Sequence, residues 1–358
     1  MFLACRHHSA ELIAKNVWYK LFPADKSPEC KLFAELRGSW DYLDKSKETQ
    51  KVDLPEEVKE NLREFYTDLY MRGMDNEGNF IRGDYRELAE ICLESLGVKL
   101  PDGKEFRWRK VGAIHKARFL AYAITSLKAN SFSNDPALGY SEERKDILRR
   151  FTAFNIQFYI PHFFMASTGS DAAHNDLKLY KDLLKYKKID QVIADEALKT
   201  LSRHLWYLSD LTVPLALFSE KVDQDTKARM AAKLIMFREE DNESKKLEKP
   251  TFPDISEKTE LYDLITSNSP EFFTIIGVDD NWLQTPVEEW DRSDAFNSAR
   301  RFARTAKTTN DVAERAVKLA TEYSKVLTKD DVSRGWILQG VEDHRRNFPD
   351  YNKSTLNQ

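Results

Sequence analysis

Apolar side chains recur at intervals of three and four residues along most of this chain, and no other feature constrains its fold as much. Leu32, Phe33, Leu36 and Trp40 share one helical face, as do Val58, Leu62, Phe65 and Leu69, and then Leu88, Ile91, Cys92 and Leu96. The spacing predicts further helices over 111–126, 142–162, 176–186, 189–217 (bent at Pro214), 223–237, 257–266, 293–306, 310–326 and 329–344. Ser27-Pro28-Glu29 and Pro55 read as helix starts. The 12 glycines and 12 prolines in 358 residues are few, and 32% of the residues are charged, so long solvated helices are expected rather than a β-sandwich or barrel. A content of 41% apolar residues is enough for a sizeable core and excludes wholesale disorder.

The expected fold class is mainly α, a large helical body with a small mixed portion near the chain ends. Phe272–Val278 (FFTIIGV) is the one convincing short strand-like run, and it also fits a helix end. The segment 242–256 (NESKKLEKPTFPDIS) is charged, holds two prolines and lacks periodicity, and is the best linker candidate. The expected division is 1–20, 21–241, a linker at 242–256, and 257–358. No repeat of fixed period is present, which disfavours a regular solenoid.

The net charge of −4 excludes a histone-like polycation but allows a local basic patch. Three scattered cysteines, Cys5, Cys30 and Cys92, do not make a disulfide framework and read as reduced thiols of an intracellular protein. No apolar run is long enough for a membrane span, and no secretory signal is visible. The apolar start Phe2-Leu3-Ala4-Cys5 fits either a segment cut from inside a larger fold or a helix that begins early.

The Walker loop, G-x-G-x-x-G, G-x-S-x-G, H-E-x-x-H and C-x-x-C signatures are all absent. Four constellations remain. Cys5-x-x-His8 places a thiol and an imidazole on one helical face; zinc would need two more ligands, with Cys30, His7 and His204 as formal candidates, and the plainer reading is a structural element. The stretch Lys104–Lys128 holds Lys104, Arg107, Arg109, Lys110, Lys116, Arg118 and Lys128 against Glu105 alone, interleaved with Phe106 and Trp108. It suits phosphate contact or, more plainly, a solvated face balanced by acids from elsewhere. Trp206, in His204-Leu205-Trp206-Tyr207, is a stacking platform if exposed and a core residue if not. Glu314 points away from the stripe Val312, Ala316, Leu319 and Tyr323, which fits both a surface pair with Lys318 and a metal-binding carboxylate.

Taken together and in order, LACRHH (Leu3–His8), GAIHKARFLAYAITSLK (Gly112–Lys128), HLWYLSD (His204–Asp210) and TNDVAERAVKL (Thr309–Leu319) resemble a family of transposon-derived, transposase-like proteins. These in turn resemble the hAT-like branch of RNase H-like DDE/D transposases. The resemblance runs along most of the chain. It implies that Cys5 and His8 match the structural C-x-x-H element after the second catalytic aspartate. It further implies that the helical body is the insertion domain, that Ala313-Glu314-Arg315 carries the third acid, and that Trp206 assists hairpin formation. Chemistry in such enzymes runs through Mg²⁺ held by three carboxylates, here Glu314 and two aspartates upstream of the C-x-x-H element. Only four residues precede Cys5, so the expectation is an incomplete catalytic site that binds no metal by itself. The functional expectation is a transposase-derived fragment that contacts DNA, located in the nucleus, with a second copy of the chain as a further partner and no membrane association. Two rival expectations are an active strand-transfer enzyme, if the natural chain extends upstream, and a helical protein-interaction scaffold.

Overall fold

Polar caps start several of the helices. In a computed structural model that describes residues 4–23, 30–73, 83–112, 120–166, 168–239, 254–306, 308, 309 and the isolated positions 330, 332, 333, 336 and 339, the described chain is mainly helical. No strand forms among those residues, and Thr168 alone stands in a bridge. The helices are α1 (Arg6–Leu21), α2 (Lys31–Ser39), α3 (Glu56–Arg72), α4 (Gly83–Ser95), α5 (Ala121–Ser131), α6 (Glu142–Phe154), α7 (Ile160–Phe164), α8 (Gly169–Tyr186), α9 (Gln191–Leu201), α10 (Gln224–Glu239), α11 (Glu271–Ile276) and α12 (Asp294–Thr305). Ser141, Asp190 and Ser293 cap α6, α9 and α12 by accepting from the backbone N–H of Arg144, Ile193 and Phe296. Glu142 and Glu143 add favourable charge to the first turn of α6.

Two compact units emerge, one formed by 1–16 with 158–310 and the other by 17–157 with 311–358. The division therefore falls at 157/158, inside the stretch 21–241 expected to be one domain. Residues 4–16 and 254–309 share a unit.

The core of the second unit is built on Trp18, fully buried with its ring near those of Phe33, Tyr122 and Phe151, at centroid distances of 5.1, 5.9 and 5.1 Å. Between α6 and α7 the backbone widens into a π turn, Asn155–Tyr159. Pro161 follows; it lacks an N–H, and its ring conflicts with an α-helical carbonyl four residues earlier. The carbonyl of Ile156 accepts the buried Tyr66 hydroxyl at 2.7 Å.

In the first unit, Trp282 is the aromatic hub. Phe218, Phe273, Trp290 and Phe296 surround it at 4.9–5.8 Å between ring centroids. The indole N–H groups of Trp282 and Trp290 donate to the carbonyls of Asp279 and Thr285, both at 3.0 Å. This core holds a segment made of short helices and 3-10 turns rather than long helices.

Two local expectations are corrected, and one that stood between a strand and a helix end is decided for the helix end. The stretch 189–217 is not one bent helix: α9 ends at Leu201, and 3-10 turns follow at Trp206–Leu208 and Val213–Phe218. The hydroxyls of Ser209 and Thr212 bond each other at 3.1 Å, an alternative to helical pairing that such residues favour, and Pro214 completes the break. Phe272–Val278 is not a strand: α11 ends at Gly277, whose φ of +67° is left-handed, and Val278 N–H returns to the Phe273 carbonyl. The stretch 257–266 forms only the 3-10 turn Leu261–Leu264, locked by reciprocal capping between Glu260 and Asp263.

Gly169 begins α8 where a Cβ would lie 2.9 Å from the Ala303 carbonyl oxygen and 3.2 Å from the Ala306 methyl. Replacing it with valine is expected to destabilise the protein by about 2 kcal/mol, as overpacking does. Gly38 in α2 has open space around its Cα, so Gly38→Ala is expected to stabilise by roughly 0.5–1 kcal/mol. Urea unfolding of the two variants checks both signs.

Candidate functional site

The segments Leu3–His8 and His204–Asp210 come together in the first unit. Tyr207 donates its hydroxyl to the Ala4 carbonyl at 2.7 Å. The Arg6 N–H donates to the Thr308 carbonyl at 2.8 Å, the residue directly before the Thr309–Leu319 motif. Thr308 in turn donates its hydroxyl to the Ala166 carbonyl. Parts of two motifs and the approach to a third, some 200 to 300 positions apart in sequence, thus share one place.

At its centre lies a buried ion pair. The Arg6 guanidinium reaches Asp176 Oδ1 through Nε at 3.1 Å and through a terminal nitrogen at 2.5 Å, and also donates to the Met165 carbonyl at 2.9 Å. Both side chains are nearly inaccessible, at 2% and 4% exposure. Burial pushes the Asp176 carboxyl upward, and the guanidinium opposes that shift. His162 lies beside the pair, with Nε2 3.8 Å from Asp176 Oδ1. Its buried Nδ1 has no hydrogen-bond partner among the described residues. Burial first, then the charges of Arg6 and His7, hold His162 well below the usual histidine range, so it is neutral at neutral pH. His7 stacks on Phe163, with centroids 3.9 Å apart and planes 8° from parallel.

Cys5 is a half-buried cysteine just before α1, in no disulfide. His8 is exposed on α1, and its Nδ1 lies 3.4 Å from Glu11. Of the formal zinc candidates, Cys30 is buried beside the start of α2, and burial first, then the neighbouring His8 and Arg203, lowers the half-buried His204. Among the described residues no three His, Cys, Asp or Glu side chains are grouped as a metal ion would need. Trp206 sits half-buried in a 3-10 turn instead of on a helix, and so does not offer an open stacking face. Asp210 is buried and receives Thr266 Oγ1 at 3.2 Å and Asn268 Nδ2 at 3.0 Å, tying down the loop before α11.

The described part of the basic stretch lies in the second unit, and its cations divide into two kinds. Lys128, 1% exposed, holds Glu87 at 2.5 Å and donates to the Arg109 carbonyl. Arg109 pairs with the buried Glu90 at 2.6 Å, a carboxylate that Arg86 also holds at 2.6 Å. These two cations build the fold. Lys104, Arg107 and Lys110 are exposed and pair with Asp102 (3.0 Å), Glu105 (3.5 Å) and Asp41 (2.8 Å). Trp108 is half-buried between the rings of Phe106 and Phe132, at 4.8 and 4.9 Å. Lys116, Arg118 and Glu314 lie outside the described residues.

Sequence reasoning singled out neither Arg6, Asp176 nor His162 as a group. The only signal available was a charge and a histidine on otherwise apolar helical stretches; their sequence separation of 170 residues (176 − 6) hides the pairing.

In comparison with known proteins, no family model, no curated protein and no solved structure matches the chain. No described helix is long and apolar enough to cross a membrane.

Removing one partner of the Arg6–Asp176 pair strands the other charge in the interior. Asp176→Asn is expected to cost about 3–5 kcal/mol in chemical denaturation. The neutral buried His162 gives a separate signature. Its folded-state pKa lies below the unfolded value near 6.5, so the unfolded chain takes up the proton first. Stability is then full above about pH 6.5 and falls below it, by up to about 1.4 kcal/mol per pH unit for one such group. His174 and His204 shift in the same direction, so His162→Gln should reduce the slope of stability against pH between 6.5 and 5 without abolishing it.

Proposed function

We propose that the chain is a transposase-derived helical protein of the hAT-like kind that acts by contacting nucleic acid rather than by cutting it. On this reading the Leu3–His8 segment and the Thr309–Leu319 segment belong to an RNase H-like core, and the protein works in the nucleus. The observation that carries the reading is the meeting of Ala4 with Tyr207 and of Arg6 with Thr308. Both bonds bring the Leu3–His8 segment beside residues of the two later strings or directly before them, Tyr207 and Thr308, which supports the reading without reaching Glu314, a residue outside the described ones. Glu314 is then the candidate third acid, and Mg²⁺ chemistry would require further carboxylates beside it.

The nucleic-acid surface assigned here is Lys104, Arg107 and Lys110. Glu105 and Asp41 are exposed, so the Arg107 and Lys110 pairs are weak and screened by salt, while Asp102 is 16% exposed and is also held by the Tyr70 hydroxyl at 2.9 Å. A phosphodiester can replace such partners. Arg109 and Lys128 are kept out of the surface because their ion pairs hold the fold, and Trp108 and Trp206 because both are half-buried.

A second reading, a helical interaction scaffold, is favoured by one observation: all five described cations of the Lys104–Lys128 stretch already have a carboxylate within 3.5 Å.

Fluorescence anisotropy with duplex and hairpin DNA over a range of KCl concentrations separates the two. Three phosphate contacts predict a log–log slope of affinity against salt of about −2.7, and Lys104→Ala/Arg107→Ala/Lys110→Ala should bring the slope toward zero and weaken binding by roughly tenfold or more at low salt. Absence of DNA binding, or binding indifferent to both salt and the triple substitution, selects the scaffold.

A further inference from the structure

The turn between α8 and α9, in the first unit, carries an aliphatic tip next to a run of lysines. Ile189 is 77% exposed and Val192 is 45% exposed, whereas Tyr186 and Asp190 on either side of Ile189 are buried. The turn gives Ile189 no way inward. Its N–H and that of Asp190 both donate to the Tyr186 carbonyl at 2.9 Å, and Asp190 Oδ1 accepts the Ile193 N–H to start α9. A β-branched side chain is stiff, so little freedom is lost when it is covered. Lys185, Lys187 and Lys188 stand directly before it, all exposed. Lys187 holds Asp195 at 2.8 Å, and Lys185 and Lys188 have no carboxylate within ion-pair distance among the described residues. An exposed aliphatic tip beside unpaired cations is complementary to a surface that is apolar in the middle and acidic at its edge.

The same unit holds a pocket of that character where α11 ends. It has a volume of about 310 Å³, and its lining includes Phe273 and Val278 together with Glu271, Asp279, Asp280 and Arg238. Three carboxylates thus stand against one guanidinium. Arg238, reaching from α10, pairs with Asp280, whose side chain is only 7% exposed. Glu271 and Asp279 are left without a cation in ion-pair distance among the described residues. Asp279 is exposed and accepts from the backbone N–H and the side-chain amide of Asn281, at 3.1 and 2.9 Å, which fixes its position without cancelling its charge.

We propose that the α8–α9 tip of one copy of the chain docks in the α11 pocket of a second copy. Docking puts Ile189 against Phe273 and Val278 and brings Lys185 and Lys188 to Glu271 and Asp279. A second copy is the occupant because every copy carries both halves of the match, a cationic aliphatic tip and an acidic apolar pocket. The two surfaces differ, so the contact is head-to-tail. Each joined copy keeps one free tip or one free pocket, and association continues with concentration into a ring or an open chain instead of stopping at a symmetric pair. The contact is small and partly electrostatic, which makes it weak and sensitive to salt. It uses none of Lys104, Arg107 and Lys110 and stands whether or not those residues bind DNA.

Sedimentation velocity on the full chain, from about 10 μM to about 1 mM, tests this. The expected result is a mean mass that rises with concentration and falls back as KCl is added. Ile189→Ser spoils the tip and keeps the pocket, whereas Glu271→Lys/Asp279→Lys spoils the pocket and keeps the tip. Each variant alone is expected to associate roughly tenfold or more weakly than the unaltered chain. An equimolar mixture of the two is expected to form one-to-one pairs and go no further, because only one intact tip and one intact pocket can meet; this also shows that both variants are folded. Lys185→Glu/Lys188→Glu is expected to weaken association by itself and to restore it when combined in one chain with Glu271→Lys/Asp279→Lys. The proposal is overturned if the unaltered chain stays monomeric across the whole range, if either variant associates as well as the unaltered chain, or if the mixture pairs no better than its components.

Discussion

The buried pairing of Arg6 with Asp176 is the interaction on which the first unit depends. A guanidinium and a carboxylate removed from water cost far more than a surface pair unless the geometry is good and the remaining donors are satisfied. Here two nitrogens of Arg6 reach one carboxylate oxygen, and a further donor reaches the Met165 carbonyl. Asn175 donates to that same carbonyl at 2.9 Å, so the turn between α7 and α8 is held from two sides. An apolar replacement would fill the volume but would not fix the direction of approach of α1 to α8. The pair contributes specificity: it sets which part of α1 faces which turn of α8, and Tyr207 and Thr308 then meet the start of the chain in register.

A contrast runs through the charges of this protein. Where a cation is buried, as at Arg6 and Lys128, it is anchored by an acid and a backbone carbonyl together. Where it is exposed the anchoring is an acid alone, a near neighbour in sequence at Arg107 and a distant one at Lys110. Charge sign and local density, which are all that a sequence displays, do not distinguish these two populations. The basic stretch looks continuous in sequence, yet Arg109 and Lys128 face Glu90 and Glu87 on α4, while Lys104, Arg107 and Lys110 face solvent. The alternation belongs to an irregular segment, 104–112, that no helical period describes.

Helical architecture was legible because burial repeats with the helical period: Leu32, Phe33 and Leu36 in α2, and Leu88, Ile91 and Cys92 in α4, are buried as their spacing demands. What escaped the pattern were places where side chains compete with the backbone. Ser209 and Thr212 bond to each other, Asp210 reaches across to Thr266 and Asn268, and an apparently continuous helix breaks into 3-10 turns. Gly277 similarly turns a strand-like apolar run into the end of a short helix. The candidate site was half legible. Two of its segments, LACRHH and HLWYLSD, stood out as strings, but Asp176 and His162 gave no signal, because an ion pair across 170 residues leaves no trace in local spacing.

The tryptophans have an optical consequence. Each unit buries two of them, Trp18 and Trp40 in one and Trp282 and Trp290 in the other. Trp282 and Trp290 lie with ring centroids 4.9 Å apart at a steep angle, close enough for their excited states to couple. The coupled pair therefore gives the near-ultraviolet circular dichroism a contribution that reports on the first unit, whereas total emission blends Trp206, Trp282 and Trp290 of that unit with Trp18, Trp40 and Trp108 of the other. Loss of that contribution during unfolding marks the moment at which the first unit's aromatic hub comes apart.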